Sequence, residues 1–152
     1  EILEQNKKTA QDLSKDYIFI MNLKESEVKN GAIFNHLNFS LLNTNFNVGS
    51  YEGFKSSGKL ATIEKDDLKY NILGYYKQSL PNLINKVNFL NSQQLQIQYN
   101  DLFAKGIFST LTDNSVYNKY KNLNYNVKAT IEYYDQIIKD AKEIIAESEK
   151  TE

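Results

Sequence analysis

From Val116 onward, apolar residues fall at Val116, Tyr120, Leu123, Val127, Ile131, Tyr134, Ile138, Ala141 and Ile145. The successive spacings are 4, 3, 4, 4, 3, 4, 3 and 4 residues. A helix turning once per about 3.6 residues lays these positions along one stripe, whereas a strand would scatter them over both faces. The segment is therefore predicted to be a long helix that buries one side against other helices at a shallow crossing angle. Thr112-Asp113-Asn114-Ser115, a cluster of good N-cap residues, opens it.

Two earlier segments show the same habit. Leu3, Ala10, Leu13, Tyr17, Ile20, Met21 and Val28 recur at near-helical spacing, with a weak point at Asn30-Gly31. The pattern resumes at Ile33, Phe34, Leu37 and Leu41, which predicts one long helix over about residues 2 to 43, kinked or broken near Gly31. A second segment opens at Asp66 or Asp67 as N-cap and runs through Leu68, Ile72, Tyr76, Leu80, Leu83, Val87, Leu90 and Ile97. Gln94 interrupts its stripe, Pro81 should kink it or restart it after Ser79, and Lys105-Gly106 is a plausible stop. Between the two, residues 43–65 read as an irregular loop, turn-rich in asparagine, with a short helical turn around Leu60, Ala61 and Ile63. Loops of that length in a compact domain are often functional. One proline and six glycines suit such long helices. The expected fold is all-α: a single domain, residues 1–152, built as an elongated antiparallel bundle of three long helices, with a fourth if the chain breaks near Gly31 or Pro81.

Composition excludes several functions. There is no cysteine, so disulfides and thiolate metal sites are ruled out, and the one histidine, His36, rules out multi-histidine centres. All 18 basic residues are lysine, and the net charge is -1. No basic field exists to concentrate nucleic acid, and arginine, the main bidentate reader of guanine and phosphate, is absent. The longest wholly apolar run is Tyr17 to Met21, far short of the roughly 20 residues that cross a bilayer. The 19 asparagines look like a coding bias and are not each read as functional.

Candidate chemistry is sparse. Gly53-Phe54-Lys55-Ser56-Ser57-Gly58-Lys59-Leu60 approaches a phosphate-binding loop. Leu60 stands where the magnesium-binding hydroxyl belongs, and no strand precedes the loop. It reads instead as a glycine-containing turn. His36 has no second ligand and no nucleophile near it in sequence, and reads as a half-buried structural residue. Glu25 and Glu27 diverge on a helix, and Asp66 and Asp67 suit a helix start. No catalytic constellation is found, and no metal or cofactor is expected. The 11 tyrosines and absent tryptophan stand out. Tyr76, Tyr120 and Tyr134 fall on core stripes, while Tyr75 and Tyr133 fall beside them and are better placed for a binding surface.

The run Tyr51 to Leu60, followed by Ala61-Thr62-Ile63, Asp67-Leu68 and Tyr75-Tyr76, resembles an uncharacterised Bacteroidetes family of proteins with an N-terminal membrane anchor. In that family a long helix leads to a Ser-Ser-Gly-Lys-Leu-like turn, a short apolar run and a Leu…Tyr-Tyr pattern. A closing amphipathic helix follows, much as Ile137 to Glu149 does here. The family's basic residue in the second helix corresponds to Lys69 or is missing, and no anchor lies in this chain. The resemblance implies an extracytoplasmic, helical domain projecting from an anchor upstream of Glu1, and implies no activity.

These readings lead to an expected function as a non-enzymatic, extracytoplasmic helical bundle, a sensor-like or binding module for a small ligand or a protein partner. The candidate binding residues are Tyr51, Ser56, Ser57, Lys59, Tyr75 and Tyr133. The alternative is a structural or surface-interaction protein that oligomerises through a helix face, with Ile137 and Ile144 beside the main stripe of the third helix as the exposed contacts.

Overall fold

The computed structural model describes residues 1–24, 26–27, 32–103 and 113–150, and among them there is no strand. Helix α1 spans Ile2–Met21. A 3-10 helix, Ala32–His36, is followed by extended chain up to the short helix α2, Gly49–Ser56. A second 3-10 helix, Lys59–Thr62, leads to a long rod: α3, Asp66–Gly74; a π-helical turn, Tyr75–Ser79; α4, Leu80–Ile97; and a second π-helical segment, Gln98–Phe103. Helix α5, Asn114–Glu149, closes the fold and is about 54 Å long at about 1.5 Å per residue.

α5 is the central element, and both other long elements run antiparallel to it. Its contacts with α1 pair Glu4 with Lys142, Lys7 with Asp135, Ser14 with Asn124 and Tyr17 with Tyr120. Its contacts with the rod pair Asn71 with Glu147, Ser79 with Tyr133, Gln93 with Asn126 and Asp101 with Lys119. One core joins all three, around Ala10, Leu13, Leu83, Val87, Leu90, Leu123, Val127 and Tyr134. The stripe read from the sequence is the buried face of α5 from Val116 to Ile138. Beyond the start of α1 the stripe surfaces, and Ile145 is 56% exposed. Asp113 is the N-cap of α5, its carboxylate accepting from the Ser115 N–H at 2.8 Å.

The first predicted helix ends well before residue 43. α1 stops at Met21, and residues 37–48 cross back as an extended strap between α1 and α4. The reason is competition for backbone hydrogen bonds. Asn38, Asn43 and Asn47 each accept from the backbone N–H two residues on, at 2.9, 2.7 and 3.0 Å, which offers the chain local turns instead of a helix. Side-chain amides of the flanking helices meet six further backbone groups of the strap. Asn91 accepts from the Leu42 N–H and donates to the Leu42 carbonyl. Asn6 makes the same two-point grip on Asn43. Buried Gln94 donates to the carbonyls of Asn38 and Ser40 and accepts from the Tyr17 hydroxyl. Leu42, 3% exposed, then packs into the core. The fourth element is thus an extended strap held by amides rather than a helix.

Other expectations are also corrected. Residues 43–65 are not wholly irregular, since they contain α2 and the predicted turn at Lys59–Thr62. Lys65, not Asp66 or Asp67, is the N-cap of α3, and the two aspartates sit in its first turn, where they complement the helix dipole. Ile137 is buried at 1% exposure and Ile144 is half-buried, so neither is the open contact that assembly through that face required. At Pro81 the expectation holds in part: the α-helix restarts after Ser79, with Pro81 in its first turn, and the rod stays continuous because the preceding turn is widened, the Leu80 N–H bonding back to the Tyr75 carbonyl. The expected break near Gly31, Glu25 of the Glu25–Glu27 pair, the Val28 and Ile33 side chains, Thr112 and the stop at Lys105-Gly106 lie outside the described residues. No helix among those described is long and apolar enough to cross a membrane.

Candidate functional site

The π-helical turn organises a group of tyrosines. Tyr51, at the start of α2, stacks on Tyr76 with centroids 4.1 Å apart and planes inclined by 7°. Tyr75 meets the edge of Tyr76 at 5.0 Å and 76°. From α5, the Tyr133 hydroxyl donates to the Ser79 carbonyl at 3.2 Å, and the Lys86 ammonium lies 5.4 Å from the Tyr133 ring centre. Offset and edge-on ring contacts of this kind are each worth about 0.5–1.5 kcal/mol beyond area burial. They dock α2 onto the rod and hold the widened turn in place.

On the α5 side of the same turn lies a cleft of about 230 Å³, lined by Tyr70, Asn71, Gly74, Tyr75, Ser79, Asp140, Glu143 and Ile144. Gly74 lines it from the rod side. Its backbone is ordinary right-handed helix, φ -59 and ψ -45, so glycine is not required by conformation. A Cβ built there would meet nothing within 4 Å. Glycine in a helix costs about 1 kcal/mol relative to alanine, so its presence here leaves space at a cost in stability. Tyr75 is half-buried, and burial, with Tyr76 and Asp140 adding, pushes its hydroxyl up to about 12. It is a neutral donor and acceptor at physiological pH. Asp140 is half-buried and accepts from the Gln136 amide at 2.7 Å, and Lys139 reaches Glu143 at 3.7 Å.

The structure divides the sequence-predicted residues. Tyr75 lines the cleft. Tyr133 braces the turn from behind, half-buried rather than open. Tyr51 is a buried stacking residue, 7% exposed, and its hydroxyl has no partner among the described residues. Ser56 and Ser57 turn their hydroxyls onto the carbonyls of Glu52 and Phe54 at the end of α2, and Lys59 is exposed in the 3-10 helix that follows. None of these three lines the cleft. The phosphate-loop likeness is a helix end: Gly53 is inside α2, and Gly58, at φ 74, is the left-handed residue that reverses the chain. His36 is half-buried, paired with Asp16 at 3.0 Å and stacked on Phe19 at 3.6 Å, as befits a structural residue anchoring the start of the strap. Among the described residues no three His, Asp or Glu side chains gather as metal ligands.

Tyr70, Asn71, Gly74, Asp140 and Glu143 were not singled out as site residues by the sequence, and Ile144 was read only as an assembly contact. One signal was present. Leu68, Ile72, Tyr76 and Leu80 follow three consecutive steps of four. Each such step over-rotates an α-helix by about 40°, so the stripe stays aligned only if the backbone unwinds locally. A π turn does this, and such turns are frequent at functional sites.

Comparison with known proteins adds no assignment: no family model, no curated protein and no solved structure matches this chain.

Proposed function

We propose that this protein is a binding module whose ligand site is the cleft between the π-helical turn and α5. The observation that supports this most is Gly74: a helical glycine that conformation does not require, facing unfilled space, beside a locally unwound turn. A purely structural rod would gain from alanine at that position. The surroundings are those of a binding site rather than a reaction centre. A few polar groups converge on one concave, tyrosine-lined surface, and its lining holds no histidine, cysteine or lysine. The extracytoplasmic, membrane-anchored setting belongs to the same proposal and is supported by the resemblance over residues 51 to 76.

The test is a thermal-shift screen of a small-molecule library on the wild-type chain and on Gly74→Leu, which fills the cleft from a position with open space around it. A ligand at about 100 times its dissociation constant adds roughly 2.7 kcal/mol, or roughly 5–11 °C for a chain of this size. Compounds that stabilise the wild type and not Gly74→Leu are the expected result. A screen without hits, or hits that stabilise both chains equally, would overturn the assignment of the cleft.

A further inference from the structure

We propose that the cleft at the π-helical turn takes an organic cation, an alkylammonium group on a short aliphatic chain, held between the Tyr70 and Tyr75 rings and the carboxylates of Asp140 and Glu143. The inference rests on the binding reading above and names its ligand class. Four observations bear on it. The cleft is bordered by two carboxylates and by no lysine, although 18 lysines are spread over the chain. Its aromatic wall is tyrosine, whose ring face attracts a cation electrostatically. Its uncharged polar side chains, Tyr70, Asn71, Tyr75 and Ser79, each carry an oxygen that can accept from an ammonium. Its volume, about 230 Å³, holds a chain of a few methylenes, and Ile144 offers that chain an apolar contact beside the open space at Gly74.

The neighbouring charges do not cancel this field. Asp140 accepts from a neutral amide, Gln136, which leaves its charge intact. The Lys139–Glu143 pair is solvent-exposed on both sides and spaced at 3.7 Å, so it is easily displaced. Desolvation by the cleft walls strengthens the attraction of a carboxylate such as Asp140 for a bound cation relative to open water.

The experiment is a titration of the full chain with putrescine, followed by backbone amide correlation spectra at constant ionic strength. The equal-length neutral diol and the dianion glutarate are run in parallel. A peptide amide containing one lysine distinguishes a partner's side chain from a free amine as the source of the ammonium. The expected result is saturable shifts confined to residues 70–79 and 140–144 with putrescine or the lysine peptide, and none with diol or glutarate. Asp140→Asn should weaken binding by at least about tenfold, as loss of a charge-assisted bond does. Tyr70→Ala, at a 70%-exposed position outside the core, should weaken it about two- to fivefold. The unfolding midpoint of each variant in the absence of probe reports whether it folds. If the diol or glutarate binds the cleft as well as putrescine does, the cation assignment falls and the binding reading stands. If no probe shifts those residues, the cation assignment falls, and the library screen with Gly74→Leu decides the binding reading separately.

Discussion

Removal of the Asn91 side chain tests the amide-held strap. Asn91 is half-buried on α4 and makes two bonds to one residue, accepting from the Leu42 N–H at 3.0 Å and donating to the Leu42 carbonyl at 2.9 Å. Each such bond is worth about 1 kcal/mol net, and a peptide group left dry and unsatisfied costs about 1–3 kcal/mol. Asn91→Ala should therefore destabilise the fold by about 2 kcal/mol if water reaches Leu42, and by about 4 kcal/mol if it does not. Leu42 itself is 3% exposed, which favours the upper part of that range. Asn88→Ala, at an exposed position on the same helix, is the control and should lie within about 0.5 kcal/mol of wild type. Asn91→Asp keeps the acceptor for the Leu42 N–H but sets a negative oxygen against the Leu42 carbonyl. At neutral pH it should be worse than alanine or equal to it. Urea unfolding measures all three, with an unchanged m-value required for the comparison, and the Leu42 amide should lose hydrogen-exchange protection in Asn91→Ala. Equal midpoints for Asn91→Ala and Asn88→Ala would refute the idea that amide side chains hold the strap.

Two further predictions concern the tyrosines and the glycines. Burial holds the Tyr120 and Tyr134 hydroxyls up to about 12, and pushes Tyr17 higher still, all from 10.0. Between those values the unfolded chain binds fewer protons than the folded one, so their contribution is complete below about pH 10 and is lost as pH rises toward about 12. Urea midpoints should fall steeply across that window while phenolate absorbance shows a late-titrating class; a flat stability profile would contradict it. Gly53→Ala and Gly58→Ala should act with opposite signs. Gly53 is helical with open space at its Cβ, so alanine should stabilise by about 0.5–1 kcal/mol. Gly58 sits at φ 74, also in open space, so alanine should cost about 1–2 kcal/mol from backbone strain alone. Equal effects in thermal unfolding would argue against a helix end at this motif.

The two halves of this protein differ in how far local sequence determines them. Periodicity alone was enough for α5, for the rod and for the core half of α1, because burial of one face at helical spacing is a local pattern with a single geometric solution. Val116, Tyr120, Leu123 and Val127 needed no partner to be recognised as inward-facing. The same pattern misled at Leu37 and Leu41, beyond the 3-10 helix that holds Ile33 and Phe34, because short apolar stretches fit helix and extended chain alike. What decided residues 37–48 was the presence of Asn6, Asn91 and Gln94 on two helices distant in sequence, whose amides replace the hydrogen bonds a helix would have made. Gln94 looked like a flaw in its stripe; it is the buried acceptor for Tyr17 and the donor to the strap. The cleft divides in the same way. Tyr75-Tyr76 was legible only as part of a helix, and the three steps of four before Leu80 were the one local sign of an unwinding. That Asp140, Glu143 and Ile144 face that turn depends on the register of α5 against the rod, set by contacts such as Tyr133 with Ser79 and Asn126 with Gln93. Register is a property of packed surfaces, in which each side chain must find its hole in the neighbouring helix. No single stretch of the chain contains it.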